Sequence, residues 1–147
     1  MKRASLVKPS GTWPLAEALD RVRLDADDRY RRRLMLTAEN GTQFLLDLKE
    51  PIALRHGDGL VLDDGRIVAV AGAPERLSEI APGQAGLAAL AWHLGNRHTD
   101  IQIVGGRLRI RSDHVLEAMV RGFGATVSAI EAPFDPEPGP AGDGRHG

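Results

Sequence analysis

The side chains in this sequence that are best suited to chemistry are histidines at the ends of predicted helices. His98 follows one predicted helix, and His114, beside Asp113, begins another. A side chain at a helix end projects from a rigid scaffold without having to be buried. Because the sequence contains no cysteine, a metal site must use imidazole, carboxylate or backbone ligands, and imidazole suits Ni²⁺, Cu²⁺ and Zn²⁺. The simpler interpretation of both histidines is a capping or polar-contact role.

The other three histidines have less favourable positions. His56 lies in a turn beside Gly57, where we expect a structural or solvated side chain. His93 lies inside the first helix, five residues before His98. This spacing is off the i, i+3 and i, i+4 positions that share a helix face, so these two imidazoles should not chelate one ion together. His146 lies in the C-terminal tail, from which a mobile imidazole can visit a nearby metal ion.

A metal site here raises a problem of ligand number, since one chain places too few imidazoles together. A twofold axis solves it, because an isologous interface brings the same surface of two subunits face to face and supplies each ligand twice. Such a site is open, with water in its remaining positions, and suits a carrier that must release its cargo. Ligation needs the neutral imidazole, so metal affinity should fall as the pH drops through about 6.5, the ordinary pKa of histidine.

Motifs and composition weigh against several other functions. The sequence has no phosphate loop, no HEXXH motif and no recognisable nucleophile–base–acid triad, so there is no positive case for an enzyme. The net charge of −1 argues against dedicated nucleic-acid binding, which usually needs a strong basic excess. There is no signal-peptide pattern, and no apolar run approaches the ~20 residues of a membrane span. We therefore expect a cytoplasmic protein that binds neither nucleic acid nor membrane.

The N-terminal half, residues 1–74, predicts a small β-rich domain. The dipeptides Asn40-Gly41 and Asp64-Gly65 separate apolar segments and suit type I′ hairpin turns, which need positive φ at both central residues. Residues 1–15 are mostly polar and interrupted by prolines and a glycine, so no regular element is expected there. No convincing helix precedes residue 75. We expect two sheets or a barrel-like sandwich.

A basic cluster lies within this half of the chain. Arg29, Arg31, Arg32 and Arg33 surround Tyr30. One interpretation is a solvated strand edge that its charges protect from aggregation. The other is a docking surface for an acidic partner.

From residue 75 onward the hydrophobic periodicity changes and predicts the order β-α-β-β-α-β. The predicted elements are a strand over 76–80, a helix over 84–94, strands over 100–104 and 107–111 joined by Gly105-Gly106, a helix capped by Ser112 or Asp113 and ended by Gly124, and a strand over 125–132. This order is the ferredoxin-like arrangement, with two helices on one face of a four-stranded antiparallel sheet. The chain as a whole is therefore predicted to be α+β. The proline- and glycine-rich segment after Pro133 should not bury enough surface to order itself.

Three segments together resemble the UreE family of urease accessory proteins, the nickel metallochaperones of urease maturation. They read HLGNRHTDIQIV, LRIRSDHVLEAMVRGFGATV and APFDPEPG. The resemblance covers about residues 15–140. It implies a peptide-binding-like β domain over 1–74, a ferredoxin-like metal-binding and dimerisation domain over 75–138, and a disordered tail over 139–147.

The same resemblance implies roles for particular residues and partners. His98 matches the family's nickel ligand, which meets its twofold mate in a homodimer. The peripheral H-D-H triplet of some members reads Ser112-Asp113-His114 here, so its first histidine is missing. The tail supplies His146 alone instead of many histidines, which implies about one tightly held metal per dimer. The implied partners are the urease accessory GTPase and, through it, the urease apoprotein complex, with Ni²⁺ as cargo and Zn²⁺ or Cu²⁺ as further ions that can bind.

Two other functions remain as alternatives. The first is a metal-independent protein-interaction adaptor that uses the β-rich domain and its basic cluster. The second is RNA binding by the sheet of the second domain. The strands over 100–104 and 107–111 lack the aromatic residues on which such sheets stack bases, so RNA binding is the weaker alternative.

Overall fold

The computed structural model describes residues 1–137, and within this range β-strands dominate. The described residues divide into two compact units, residues 1–73 and residues 74–137. No helix within these units is long and apolar enough to cross a membrane. The strands of the first unit and the mixed strands and helices of the second confirm the predicted α+β class.

The first unit is built on a single six-stranded sheet with the order β2-β6-β5-β1-β4-β3. Its strands are β1 (Lys2–Lys8), β2 (Asp20–Leu24), β3 (Tyr30–Thr37), β4 (Gln43–Ala53), β5 (Gly59–Leu62) and β6 (Ile67–Gly72). The sheet curls, because the β3–β4 turn reaches the opposite edge, where Glu39 N–H donates to Arg21 O. Fully buried Phe44, Leu46 and Leu60 fill its inner side. Of the two expected forms, two separate sheets are not observed, and the single curled sheet that encloses the core is closer to the barrel-like form.

The strand β1 corrects the expectation that residues 1–15 form no regular element. It lies inside the sheet, parallel to β4 and antiparallel to β5. Of its side chains Ala4 alone is fully buried, so the strand carries almost no hydrophobic signal of its own. It is held by backbone hydrogen bonds to two neighbours that are distant in sequence, and local periodicity does not report such pairing.

The two hairpin turns of this unit differ from the predicted type I′. Gly41 and Gly65 have positive φ of 94° and 88°, but Asn40 and Asp64 before them do not. In each turn the glycine N–H donates to a carbonyl three residues earlier, in one case that of Ala38. This pattern is typical of a three-residue loop with glycine at the left-handed position. By contrast, both Gly105 and Gly106 have positive φ, as a type I′ turn requires.

The second unit has the ferredoxin-like element order. Its elements are β7 (Pro74–Ala81), α1 (Leu87–Gly95), β8 (Gln102–Val104), β9 (Arg107–Arg111), α2 (His114–Gly122) and β10 (Thr126–Pro133). The sheet order is β10-β7-β9-β8, and every pair is antiparallel. Both helices pack on this sheet through a core that includes Leu90, Leu94, Leu108 and Val120. The predicted architecture is confirmed.

The described residues after β10, 134–137, are ordered, contrary to expectation. Phe134 has no exposed surface. Glu137 N–H donates to Ile101 O at 2.7 Å, and its carboxylate accepts from Ile103 N–H at 3.3 Å. Burial of one aromatic ring and pairing beside the edge strand β8 thus stabilise a segment whose composition is unfavourable. We call residues 134–137 the C-terminal clip.

Candidate metal centre

The end of α1 fixes the backbone of the candidate ligand His98. His98 N–H donates to Gly95 O at 3.0 Å, and Thr99 N–H donates to Leu94 O at 3.4 Å. These two bonds form the pattern of the Schellman motif, in which the residue after the last helical turn adopts the left-handed conformation. That residue is His98, whose φ is 58°. The helix α1 ends at Gly95 with Asn96 as its C-cap, and the left-handed residue of the motif, His98, follows three residues after Gly95.

A histidine at this position is unfavourable for folding. Glycine is the usual residue at the left-handed position of a helix end, because a Cβ there is crowded and costs about 1 kcal/mol or more. His98 is the one non-glycine residue with positive φ in the described part of the chain. Its side chain is exposed, so no burial offsets this cost. Backbone strain of this kind concentrates at functional sites, and here it coincides with the residue for which the family resemblance implies a ligand role.

The second predicted site lies at the start of α2. Asp113 Oδ1 accepts from Val115 N–H at 2.9 Å and from Leu116 N–H at 3.0 Å, which satisfies two free donors of the first helical turn. Asp113 is thus the predicted cap. His114 has a fully exposed side chain, and its Nδ1 lies 4.0 Å from Glu117 Oε1. This geometry leaves His114 accessible to an ion but does not hold its ring in place.

Exposed aromatic side chains lie on α1 and at the end of α2. Trp92 on α1 is 64% exposed, and Phe123 at the end of α2 is 40% exposed. Half-buried His93 stacks on Phe123 with ring centroids 4.3 Å apart, and Trp92 meets His93 edge to face at 5.0 Å. The predicted helical, partly exposed position of His93 is confirmed. Phe123 lies on the surface in this stack and not in the core of the second unit.

The described residues of one chain do not gather a set of ligands sufficient for a metal ion. Among residues 1–137 no group of three or more His, Asp or Glu side chains is close enough to hold a metal ion. His146 lies outside the described residues. His56 lies in the first unit, where its Nδ1 accepts from Gly72 N–H at 3.0 Å, in agreement with its predicted structural role.

The basic cluster of the first unit separates into structural and exposed members. Arg29 is only 1% exposed, and its guanidinium donates to the carbonyls of Leu54 and Asp25. Arg31 and Arg32 are exposed on the edge strand β3 and pair with carboxylates at 3.4 and 4.0 Å. A bulge interrupts β3 beside them. Charged side chains and a bulge are typical of a protected sheet edge.

A cleft of about 370 Å³ in the first unit contains a buried carboxylate, Asp20. Burial raises the pKa of Asp20, but hydrogen bonds from the Thr42 side chain and from backbone N–H groups outweigh it and hold that pKa below its ordinary value. The backbone donors are those of Arg21, Asn40 and Thr42. Asp20 therefore fixes the β3–β4 turn as an anion, and it is not a free acid or base within the cleft.

The sheet face opposite the helices of the second unit carries paired charges. Glu79 accepts from Arg109 at 3.0 Å and from Arg107 at 3.1 Å. The Arg109 hydrogen bond, assisted by Arg107 and opposed by burial, holds the pKa of Glu79 below its ordinary value. The four strands contain no Phe, Tyr or Trp. Arginines that are already paired and a face without aromatic rings do not resemble an RNA-stacking platform.

These observations define a two-unit α+β protein whose ferredoxin-like unit presents an exposed histidine on a strained, fixed backbone. Comparison with known proteins gives the family. Two family models match, the UreE urease accessory protein N-terminal domain over residues 5–73 and its C-terminal domain over residues 75–147. Together they cover nearly the whole chain, which belongs to the UreE family of urease accessory proteins.

Individual relatives agree with this assignment. The urease accessory protein UreE of Bradyrhizobium sp. (strain ORS 278) is 54% identical over 99% of this chain and 70% of its own length. That of Beijerinckia indica is 50% identical over 99% of this chain and 84% of its own length. That of Rhodobacter capsulatus is 46% identical over 99% of this chain and 90% of its own length. Their shared name describes proteins that assist urease, and it is not the name of the urease enzyme.

Proposed function

We propose that this protein is a non-enzymatic nickel chaperone that carries Ni²⁺ for urease maturation in the cytoplasm. Membership of the UreE family supports a role in urease maturation. The single observation that carries the metal-binding part is His98, an exposed imidazole on a left-handed backbone where glycine would be favoured. Folding gains nothing from a histidine there, whereas an ion that needs an accessible, fixed imidazole does.

The proposed site is shared by two copies of the chain. The described residues of one chain contain no group of three or more ligating side chains, and imidazole sites need several donors. A twofold interface that brings two His98 rings together supplies two of them, with water in the other positions. Exposed Trp92 and Phe123 in the same unit provide apolar surface that a homodimer would bury.

His146 is the proposed third donor, and chain length permits it. The clip ends at Glu137, which is hydrogen-bonded to Ile101, three residues after His98. His146 lies nine positions after Glu137, and an extended chain of that length spans at most about 30 Å. The tail is therefore long enough to return to His98. His114 and Asp113 are less central, since Asp113 already caps α2.

Open coordination of this kind suits transfer of the ion to a partner. The proposed recipient is the urease accessory GTPase, which passes Ni²⁺ to the urease apoprotein complex. Zn²⁺ and Cu²⁺ should compete, because the same imidazoles bind them. Ligation requires neutral imidazole, so we expect nickel to be released as the pH falls through about 6.5, the usual range for histidine.

Calorimetric titration with Ni²⁺ tests the proposal directly. The wild-type protein, His98→Gly and His98→Ala should be compared, because glycine preserves the left-handed backbone. We expect both substitutions to weaken nickel binding on the order of 100-fold or more, beyond the usual effect of losing a residue that merely supports a ligand. Unchanged affinity in His98→Gly would reject His98 as the ligand. Absence of stoichiometric nickel binding to the wild type at micromolar concentration would favour the metal-independent adaptor.

A further inference from the structure

The loop that follows His98 is tied to the sheet by an ion pair. Asp100, two residues after His98, accepts a hydrogen bond from Arg111 Nη1 at 3.4 Å. Arg111 is the last residue of β9. Its Nε donates to Glu75 on β7 at 2.9 Å, so the guanidinium is itself anchored to the neighbouring strand. Asp100 is thus connected through one arginine to two strands of the sheet.

The same guanidinium also contacts the C-terminal clip. Arg111 Cζ lies 5.0 Å from the centroid of the Phe134 ring, which is within the range of a cation–π interaction. Phe134 is fully buried, and Glu137 at the end of the clip is bonded to Ile101. Arg111 therefore contacts both Asp100, in the loop after His98, and Phe134, in the clip. The clip in turn is hydrogen-bonded to Ile101, the residue after Asp100.

Together these contacts fix the candidate ligand from both sides. On its N-terminal side, the Schellman bonds to Leu94 and Gly95 hold the backbone of His98 and Thr99. On its C-terminal side, the ion pair holds Asp100. A residue in a sparsely populated conformation persists only when its surroundings determine it, and Asp100 supplies the restraint that α1 alone does not.

We propose that the Asp100–Arg111 pair is a positioning element that keeps the His98 imidazole in the orientation needed to bind metal. This inference rests on the proposed function, because it assigns the pair a role in nickel binding. Neither residue contacts the ion. Groups that orient a metal ligand without touching the metal strongly affect metal affinity, whereas a half-exposed ion pair contributes little to global stability.

A matched control is available on the same sheet face. Glu79 pairs with Arg107 and Arg109 at 3.1 and 3.0 Å, which is the same chemistry as the Asp100 pair. These residues lie on strands and restrain no loop beside His98. Asp100→Ala and Glu79→Ala therefore remove comparable ion pairs, and only the first removes a restraint on the ligand. Asp100→Asn retains a side-chain carbonyl that can accept from Arg111.

The experiment measures Ni²⁺ affinity by calorimetry and the backbone order parameter of His98 by NMR in all these variants. We expect Asp100→Ala to weaken nickel binding on the order of tenfold and to lower the His98 order parameter towards the flexible range, below about 0.6. Glu79→Ala should change neither, and Asp100→Asn should restore most of both. A merely structural role would lower the melting temperature without this selective loosening of His98.

Two results would overturn the inference. One is wild-type affinity in Asp100→Ala, and the other is an equal loss in Asp100→Ala and Glu79→Ala. Either would leave the nickel proposal standing, provided that the wild type binds Ni²⁺ and His98→Gly does not. A wild type that binds no Ni²⁺ would instead reject the proposed function, so the two failures are distinguishable.

Discussion

The second unit presents two histidines at helix ends, and they differ in how their backbones are held. His98 follows α1 with φ of 58° and is restrained by bonds on both sides, to the helix before it and through Asp100 after it. His114 opens α2 in ordinary helical geometry, with a fully exposed side chain 4.0 Å from Glu117. His98, whose left-handed backbone conformation is costly, is therefore also the histidine whose backbone is restrained on both sides. This difference supports the proposal that His98 is the principal ligand and His114 an accessory one.

Removal of the clip should have the largest effect on stability. Phe134→Ala deletes a fully buried ring, and such substitutions cost about 3–5 kcal/mol. The clip is bonded to the loop that follows His98, whereas the contact of His114 is with Glu117 of its own helix. Urea denaturation measures the change. Val115→Ala, at a 70% exposed position beside His114, is the control, and a comparable loss there would show that the two helix ends are not supported differently.

Glycine at the two histidine positions should change stability in opposite directions. His98→Gly relieves the left-handed strain and should raise the free energy of unfolding by about 1 kcal/mol. His114→Gly places glycine within α2 and should lower it by up to about 1 kcal/mol. His98→Ala retains a Cβ and should give no gain. The same denaturation midpoints provide the test, and a destabilised His98→Gly protein would show that the histidine side chain supports the fold.

The role of Asp113 can be separated from metal binding. Asp113→Ala removes both N-cap hydrogen bonds and should lower the free energy of unfolding by about 1 kcal/mol. Nickel affinity should be unchanged if capping is its role. Ser112→Ala is the control, since the side chain that caps α2 is that of Asp113. A fall in nickel affinity in Asp113→Ala, greater than that in Ser112→Ala, would instead place a ligand at the second helix end.

The smallest effect concerns pH, and it separates ligation from folding. The folded-state pKa of Glu79 is held below its ordinary value of 4.5, so its ion pairs stabilise the fold above that value and lose their contribution as the pH falls through the lowered pKa. Histidine ligation should fail near pH 6.5, in a range where this contribution is intact. Calorimetry and thermal melts from pH 7.5 down to below the lowered pKa of Glu79 should show nickel loss before acid destabilisation. If nickel binding and thermal stability were lost at the same pH, the release of nickel would be a consequence of unfolding.

The sequence predicts those parts of the fold that local patterns report. The periodicity of α1 and α2 and the alternation in β9 identify the ferredoxin-like unit and place His98 and His114 at helix ends. Two elements escaped prediction, because long-range contacts determine them. β1 depends on hydrogen bonds to β4 and β5, which begin some 40 residues or more away. The clip depends on burial of Phe134 and on the hydrogen bonds of Glu137 to Ile101 and Ile103.

The geometry of the candidate site was equally beyond local patterns. A GNRH segment indicates a helix end, but which residue takes the left-handed position is decided by the bonds to Leu94 and Gly95. The helix ends at Gly95, but the left-handed conformation is taken three residues later, at His98. The ion pair between Asp100 and Arg111 joins residues whose proximity follows from the β8–β9 hairpin. The register of that hairpin, in which Gln102 pairs with Arg109, places the two side chains near each other. No local pattern indicates the clip.

The central claim is that two chains share one nickel ion through His98, and native mass spectrometry of the nickel-loaded protein tests it most directly. The account predicts a species of two chains with one tightly held Ni²⁺, and a His98→Gly dimer without it. A single chain that holds Ni²⁺ with the affinity of the dimer would contradict the claim, as would a His98→Gly dimer that retains the ion.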